Sequence, residues 1–169
     1  GLKAIEKLCR KITVPVVVKE TGCGFSAKTL KQLKNTGIAA VDVSGLGGTH
    51  WGRIEGDRAS HLSAKNIASK TFQNWGIGTV QSLMNGIKIK PDYELWASGG
   101  VRTGLDAAKL LAMGAQAVGY AKPALEAALK GHIGLDEWMT LMEFELKTAM
   151  FVTGAANVKK LKKVKWIQK

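Results

Sequence analysis

The sequence predicts an α/β fold built on a parallel sheet, and three observations carry that prediction. Short, uninterrupted apolar runs such as Val14-Pro15-Val16-Val17-Val18 and Ile38-Ala39-Ala40-Val41-Asp42-Val43 alternate with segments of helical period. Each run ends in a polar or glycine-rich stretch. The chain also carries 20 glycines in 169 residues, a high share for a helical protein, which points to many tight turns. Strands that alternate with helices pair in parallel through right-handed crossovers.

The elements follow in order. Leu2, Ile5 and Leu8 lie at helical spacing, so residues 2–10 read as a helix. The run 14–18 reads as a strand buried on both faces, ending at Lys19-Glu20. Ser26 is placed to cap a helix over 27–36, with Leu30 and Leu33 inward and Gly37 at its end. Residues 38–43 form a second buried strand. Residues 45–65, rich in glycine and polar groups, read as a long loop, and 66–74 fit no single period. A helix over 79–87 leads to a third strand at 93–97. Thr103 caps a helix over 104–113, which Gly114 stops. A fourth strand at 117–120 precedes a helix over 124–130, opened by Pro123, and a longer one over 136–152.

Composition narrows the function classes. Apolar residues make up 46% and charged residues 22%, which suits a globular domain and not a disordered or collagenous chain. No apolar run is long enough to span a membrane. Cys9 and Cys23 cannot form a disulfide framework, and no signal peptide pattern opens the chain, so a cytoplasmic setting is expected. The formal net charge is +12, and half of it comes from Lys159, Lys160, Lys162, Lys163, Lys165 and Lys169. Such a tail can bind anions by counterion release, but no nucleic-acid motif accompanies it, and a solvated terminus is the favoured reading. Residues 1–155 are taken as the folded unit and 156–169 as a basic tail. His50, His61 and His132 have no metal-ligand spacing. Cys23 sits beside glycines without an evident base partner, which fits an ordinary thiol better than a nucleophile.

In parallel sheets the chemistry gathers at the carboxyl ends of the strands. Ser98-Gly99-Gly100-Val101-Arg102-Thr103-Gly104 is the most informative of these ends. Two glycines bring backbone N–H groups close to a ligand, the following helix start adds to that anion nest, and Arg102 supplies a phosphate-gripping fork. Ala121 and Lys122 end the next strand about twenty residues later. Two adjacent phosphate loops in this order match the loops after strands seven and eight of a (β/α)8 barrel. Lys19 either ends its strand in solvent or offers positive charge to a bound ring. Ser44, Gly45, Gly47, Gly48 and Thr49 form a second polar loop suited to a phosphate or ribityl chain. Glu55 is an acid–base candidate or the ion-pair partner of Arg58, with the ion pair favoured.

Several segments, in order along nearly the whole chain, resemble the type 2, FMN-dependent isopentenyl-diphosphate delta-isomerases. They are Val18-Lys19-Glu20-Thr21-Gly22, Asp42-Val43-Ser44-Gly45-Leu46-Gly47-Gly48-Thr49-His50-Trp51, Phe72-Gln73-Asn74-Trp75-Gly76-Ile77 and Ala97-Ser98-Gly99-Gly100-Val101-Arg102-Thr103-Gly104-Leu105-Asp106, followed by the region from Glu145 to Ala155. The resemblance implies the carboxyl-terminal half, strands five to eight, of a (β/α)8 barrel that binds FMN. It places Lys19 beside the flavin ring, Ser44 and Thr49 at the ribityl-phosphate region, and Gly100, Val101, Arg102, Ala121 and Lys122 around the phosphate. Glu55 falls where the family keeps an acidic residue, a candidate proton-relay group. Lys122 departs from the apolar residue common in the family. The resemblance further implies an isoprenoid diphosphate substrate, magnesium, NADPH as flavin reductant and a homo-oligomer for the whole enzyme. The family's metal ligands and most of its diphosphate-binding residues belong to the half not represented, so this chain alone is expected to be inactive and to bind FMN weakly.

Two other readings compete. FMN-dependent 2-hydroxyacid oxidases and dehydrogenases share the lysine strand and the Gly-Gly-x-Arg loop, but they carry a His-Gly-Gly-Arg element where this chain has Leu46-Gly47-Gly48-Thr49. A non-catalytic basic module that binds phosphates or nucleic acid is the third.

Overall fold

The computed structural model describes residues 1–167, so Lys169 of the basic tail lies outside the described residues. The elements run α1 (Leu2–Lys11), β1 (Val17–Lys19), α2 (Ala27–Leu33), β2 (Ala40–Asp42), α3 (Trp51–Arg58), α4 (Ala64–Thr71), α5 (Thr79–Ile89), β3 (Glu94–Ala97), α6 (Gly104–Met113), β4 (Ala117–Val118), α7 (Lys122–Ala128), α8 (Gly131–Val152) and α9 (Val158–Leu161). The four strands pair in parallel in the order β1-β2-β3-β4. Spatial order equals chain order, so each crossover moves to the next strand. That is the progression of a (β/α)8 barrel, here in part, and not of a doubly wound sheet, whose order reverses.

The core lies between the sheet and the helices that cross behind it. Leu30 and Leu33 of α2, Leu83 of α5, Val41 and Val43 around β2, Leu95 and Ala97 of β3 and Leu110 of α6 are all buried in one cluster. A second cluster joins Ala108 and Leu111 of α6 to Ala149 of α8, Ala155 and Leu161. The basic segment is therefore anchored: α9 docks Leu161 against α6 while its lysines stay at the surface.

The structure corrects several sequence expectations. The first strand is not buried on both faces. It is three residues long, lies at the sheet edge, and leaves Val17 and Lys19 exposed, because only β2 flanks it. Pro15 has no N–H for a ladder, and Val16 reaches the next strand only through its carbonyl, which accepts the Ala39 N–H at 2.8 Å. The helix α2 stops at Leu33, before the left-handed Asn35 and Gly37. The supposed loop 45–65 contains the whole of α3 and opens into α4, whose N-cap is Ser63. The long helix α8 starts at Gly131, five residues earlier than its apolar pattern suggests.

Candidate functional site

The carboxyl ends of the strands open on one cleft of about 1360 Å³. Lys19, Ser44, Thr49, Gly100, Val101, Arg102, Ala121 and Lys122 all line it. Glu55 does not. It faces a separate cavity of about 300 Å³ with His50, Lys65 and Phe72, and pairs with Arg58 at 3.5 Å. Both partners of that pair are largely solvated, so it contributes little stability.

The floor of the cleft is a polar network centred on Asp42, a residue the sequence reading passes over as part of an apolar strand. Ser98 Oγ lies 2.8 Å from both carboxylate oxygens, and the Ser44 N–H donates to Oδ1 at 3.1 Å. Lys19 Nζ sits 3.4 Å from Asp42 Oδ2 and donates to Ser44 Oγ at 2.6 Å and to the Glu20 carbonyl at 3.2 Å. The register explains the meeting: Lys19 pairs with Asp42 across β1 and β2, and Asp42 with Trp96 across β2 and β3. A buried carboxylate is tolerated because it is hydrogen-bonded and paired. It fixes an ammonium whose side chain is still 55% exposed, so the charge faces the cleft.

Glycine is required where the next two loops meet. Gly99 and Gly100 have φ of 98° and 76°. A Cβ on Gly99 would stand 2.2 Å from the Gly45 carbonyl oxygen, and one on Gly100 would stand 2.8 Å from that of Gly47. The two loops are packed backbone to backbone, and Thr79 Oγ1 secures them through the Ser98 and Gly99 carbonyls at 3.0 and 2.6 Å. Among the described residues, the N–H groups of Gly100, Val101, Tyr120 and Ala121 have no protein acceptor. They suit an anion in the cleft, with the Arg102 guanidinium nearby, held only by a 3.5 Å contact to the Gly47 carbonyl.

The start of α6 does not join that nest as the sequence suggested. Asp106 Oδ2 accepts the N–H groups of Arg102 and Thr103, each at 3.1 Å, and Thr103 Oγ1 accepts that of Asp106. Glu145 of α8 takes the Gly104 N–H at 2.5 Å. Two carboxylates of the protein thus occupy the helix N-terminus. Burial alone would raise the Asp106 pKa, but hydrogen bonds from Arg102 and Thr103 and the nearby Lys109 bring it below the ordinary carboxylate value. Tyr120 ties the fourth strand to this cap: its hydroxyl donates to the Thr103 carbonyl at 3.1 Å, and its ring packs edge-on against Trp138. Burial, Asp106 and Glu145 raise its pKa, which keeps the hydroxyl a donor. Lys122 pairs with Glu126 at 3.6 Å on the cleft rim.

Cys23 does have a partner. His50 Nε2 lies 3.0 Å from its sulfur, a contact between loops 27 positions apart that no local pattern reveals. Burial and Glu20 push the thiol pKa up, so it is not an activated thiolate. Among the described residues, no three His, Cys, Asp or Glu side chains are grouped to hold a metal ion, and no helix is long and apolar enough to cross a membrane.

Sequential parallel strands ending in a lysine, a hydroxyl-bearing loop and two loops with N–H groups free toward one cleft define part of a (β/α)8 barrel whose open end suits an anionic ligand. The chain belongs to the FMN-dependent dehydrogenase family, whose model matches residues 1–168. It is 56% identical over 168 residues to an isopentenyl-diphosphate delta-isomerase of Bdellovibrio bacteriovorus, covering 99% of this chain and 48% of that protein. An isopentenyl-diphosphate delta-isomerase of Legionella pneumophila (strain Corby) is 57% identical over 159 residues, covering 94% and 46%. The chain thus spans about half the length of the curated relatives it matches. Among solved structures, mandelate oxidase with (S)-2-phenylpropionate shares the fold with a TM-score of 0.72 at 21% identity, over 98% of this chain and 42% of that one.

Proposed function

We propose that this chain is the carboxyl-terminal, flavin-holding half of an isopentenyl-diphosphate delta-isomerase, strands five to eight of its barrel. The observation that carries the reading is the convergence of the pinned Lys19 ammonium, the Ser44–Thr49 loop and the unpaired N–H groups at Gly100, Val101 and Ala121 on one cleft. Reduced FMN would supply acid–base chemistry for moving a double bond. The chain's residues would bind and orient it. Gly100, Val101, Arg102, Ala121 and Lys122 would take the phosphate, Ser44 and Thr49 the ribityl region, and Lys19 the electron-rich side of the ring, where a fixed cation favours negative charge. Asp42 and Ser98 would act through Lys19 by holding its ammonium in place. Glu55 faces the other cavity, so we assign it no proton-relay role in this cleft.

Isopentenyl and dimethylallyl diphosphate would be the substrates of the whole protein, in isoprenoid biosynthesis. Mg²⁺ would neutralise the diphosphate, NADPH would reduce the flavin, and the setting would be a cytoplasmic homo-oligomer. The identity to named isomerases and the Leu46-Gly47-Gly48-Thr49 stretch favour this reading over hydroxyacid oxidation. A chimera tests it: this chain replaces the matching half of the Bdellovibrio relative. Isomerase turnover with FMN, NADPH and Mg²⁺ supports the reading. A chimera that folds and holds FMN yet turns over only 2-hydroxyacids overturns it. The 169-residue chain alone should show no isomerase turnover.

A further inference from the structure

We infer that His50 is a positioning residue: it latches α3, and with it Trp51 on the cleft rim, to the loop after β1, and it does so in a single tautomer. Its Nδ1 accepts the Arg53 N–H at 3.2 Å, which makes the imidazole the N-cap of α3. A backbone N–H only donates, so Nδ1 carries a lone pair. A neutral imidazole then holds its one proton on Nε2, which points at Cys23 Sγ at 3.0 Å. Sulfur is the acceptor of that bond, and the protonated thiol is the form the site keeps.

The surroundings are built for this ring. A Cβ on Gly52 would stand 2.9 Å from His50 Cε1, and a Cβ on Gly22 would stand 2.4 Å from the Thr49 carbonyl oxygen and 2.9 Å from His50 Cα. Glycine at both positions leaves room for the two loops to close on the imidazole. The loop that presents Cys23 is itself pinned, because the Glu20 carboxylate accepts the N–H groups of Thr21 and Cys23 at 2.8 and 2.6 Å. The Trp51 N–H donates to the Thr21 carbonyl at 3.2 Å, so the latch has a backbone rung beside its side-chain one. The helix α3 packs chiefly on α4 and has little other hold on the sheet. His50 lines both the large cleft and the small cavity, and so stands at the hinge between them.

Long-range ¹H–¹⁵N NMR of the imidazole, with amide hydrogen exchange at Arg53 and Ile54, tests the latch without any cofactor. Its outcome is thus independent of the flavin reading. The expected spectrum shows the Nε2–H tautomer with an unprotonated Nδ1. Cys23→Ser, which keeps an acceptor, should preserve the tautomer and the slow exchange. Cys23→Ala should let the two tautomers mix. His50→Ala should speed exchange of the Arg53 amide about fivefold or more, the scale of a lost cap, and His50→Asn should restore the cap without the link to Cys23. An Nδ1–H tautomer in the wild type overturns the assignment. So does Cys23→Ala that leaves tautomer and exchange unchanged.

Discussion

The centre of the sheet and the α3–α4 hairpin are two regions of one fold held in different ways. Around β2 and β3, Val41, Val43 and Ala97 are wholly buried and α2, α5 and α6 close over them. The hairpin packs on itself, leaves Trp51, Ile54, Leu62 and Ile67 exposed, and meets the loop after β1 through His50 and Trp51, while Leu46 bonds to Ile77 at its base. The difference separates two tasks. The buried centre sets Lys19 and the glycine loops in register, while the hairpin, with few bonds beyond its own two helices, forms part of the cleft rim.

The largest effect should come from the centre. Leu83→Ala removes a fully buried side chain and should cost about 2–5 kcal/mol in urea unfolding. Asp42→Ala should cost less, about 1–3 kcal/mol, by leaving Ser98 Oγ and the Ser44 N–H without their acceptor. Its effect on a flavin titration should exceed its effect on stability, because Lys19 loses its anchor. Thr103→Ala should cost about 1 kcal/mol through the α6 cap. This cap also sets a pH dependence. The Asp106 pKa is lowered in the folded state, so its contribution is complete above the ordinary carboxylate value and fades as pH falls through the folded one. Asp106→Asn should flatten that acid limb of the urea midpoint. The smallest effect belongs to the hairpin: Ile67→Ala, half exposed on α4, should stay within about 0.5 kcal/mol. A loss equal to that of Leu83→Ala would show the hairpin to be part of the same cooperative unit.

The same contrast governs what the sequence could reveal. The sheet and its crossovers were legible because β2, β3, α5 and α6 carry apolar periods that match their burial. The hairpin was not. Trp51–Arg58 contains Gly52 and Gly56, each costly to an isolated helix, and reads as a loop by propensity. Packing requires one of them, since a Cβ on Gly56 would overlap Ser69 of α4. Local preference therefore loses to a tertiary contact. The eight residues expected at the cofactor stand at strand ends and share one cleft, whereas Asp42 was hidden by its apolar neighbours. The available signal was a lone carboxylate at the carboxyl end of an otherwise apolar strand. The Cys23–His50 pair and the Glu145 bond to α6 join residues distant in sequence, and only the folded chain brings them together.

We propose that the cleft at the strand ends holds a flavin by its phosphate. Parallel fluorescence titrations of the 169-residue chain with FMN and with riboflavin, which lacks the phosphate, test it most directly. Saturable FMN binding is expected, weaker than that of a complete barrel, with riboflavin at least about tenfold weaker and Arg102→Ala removing most of that difference. Equal affinity for the two flavins, or no saturable binding of FMN, would contradict it.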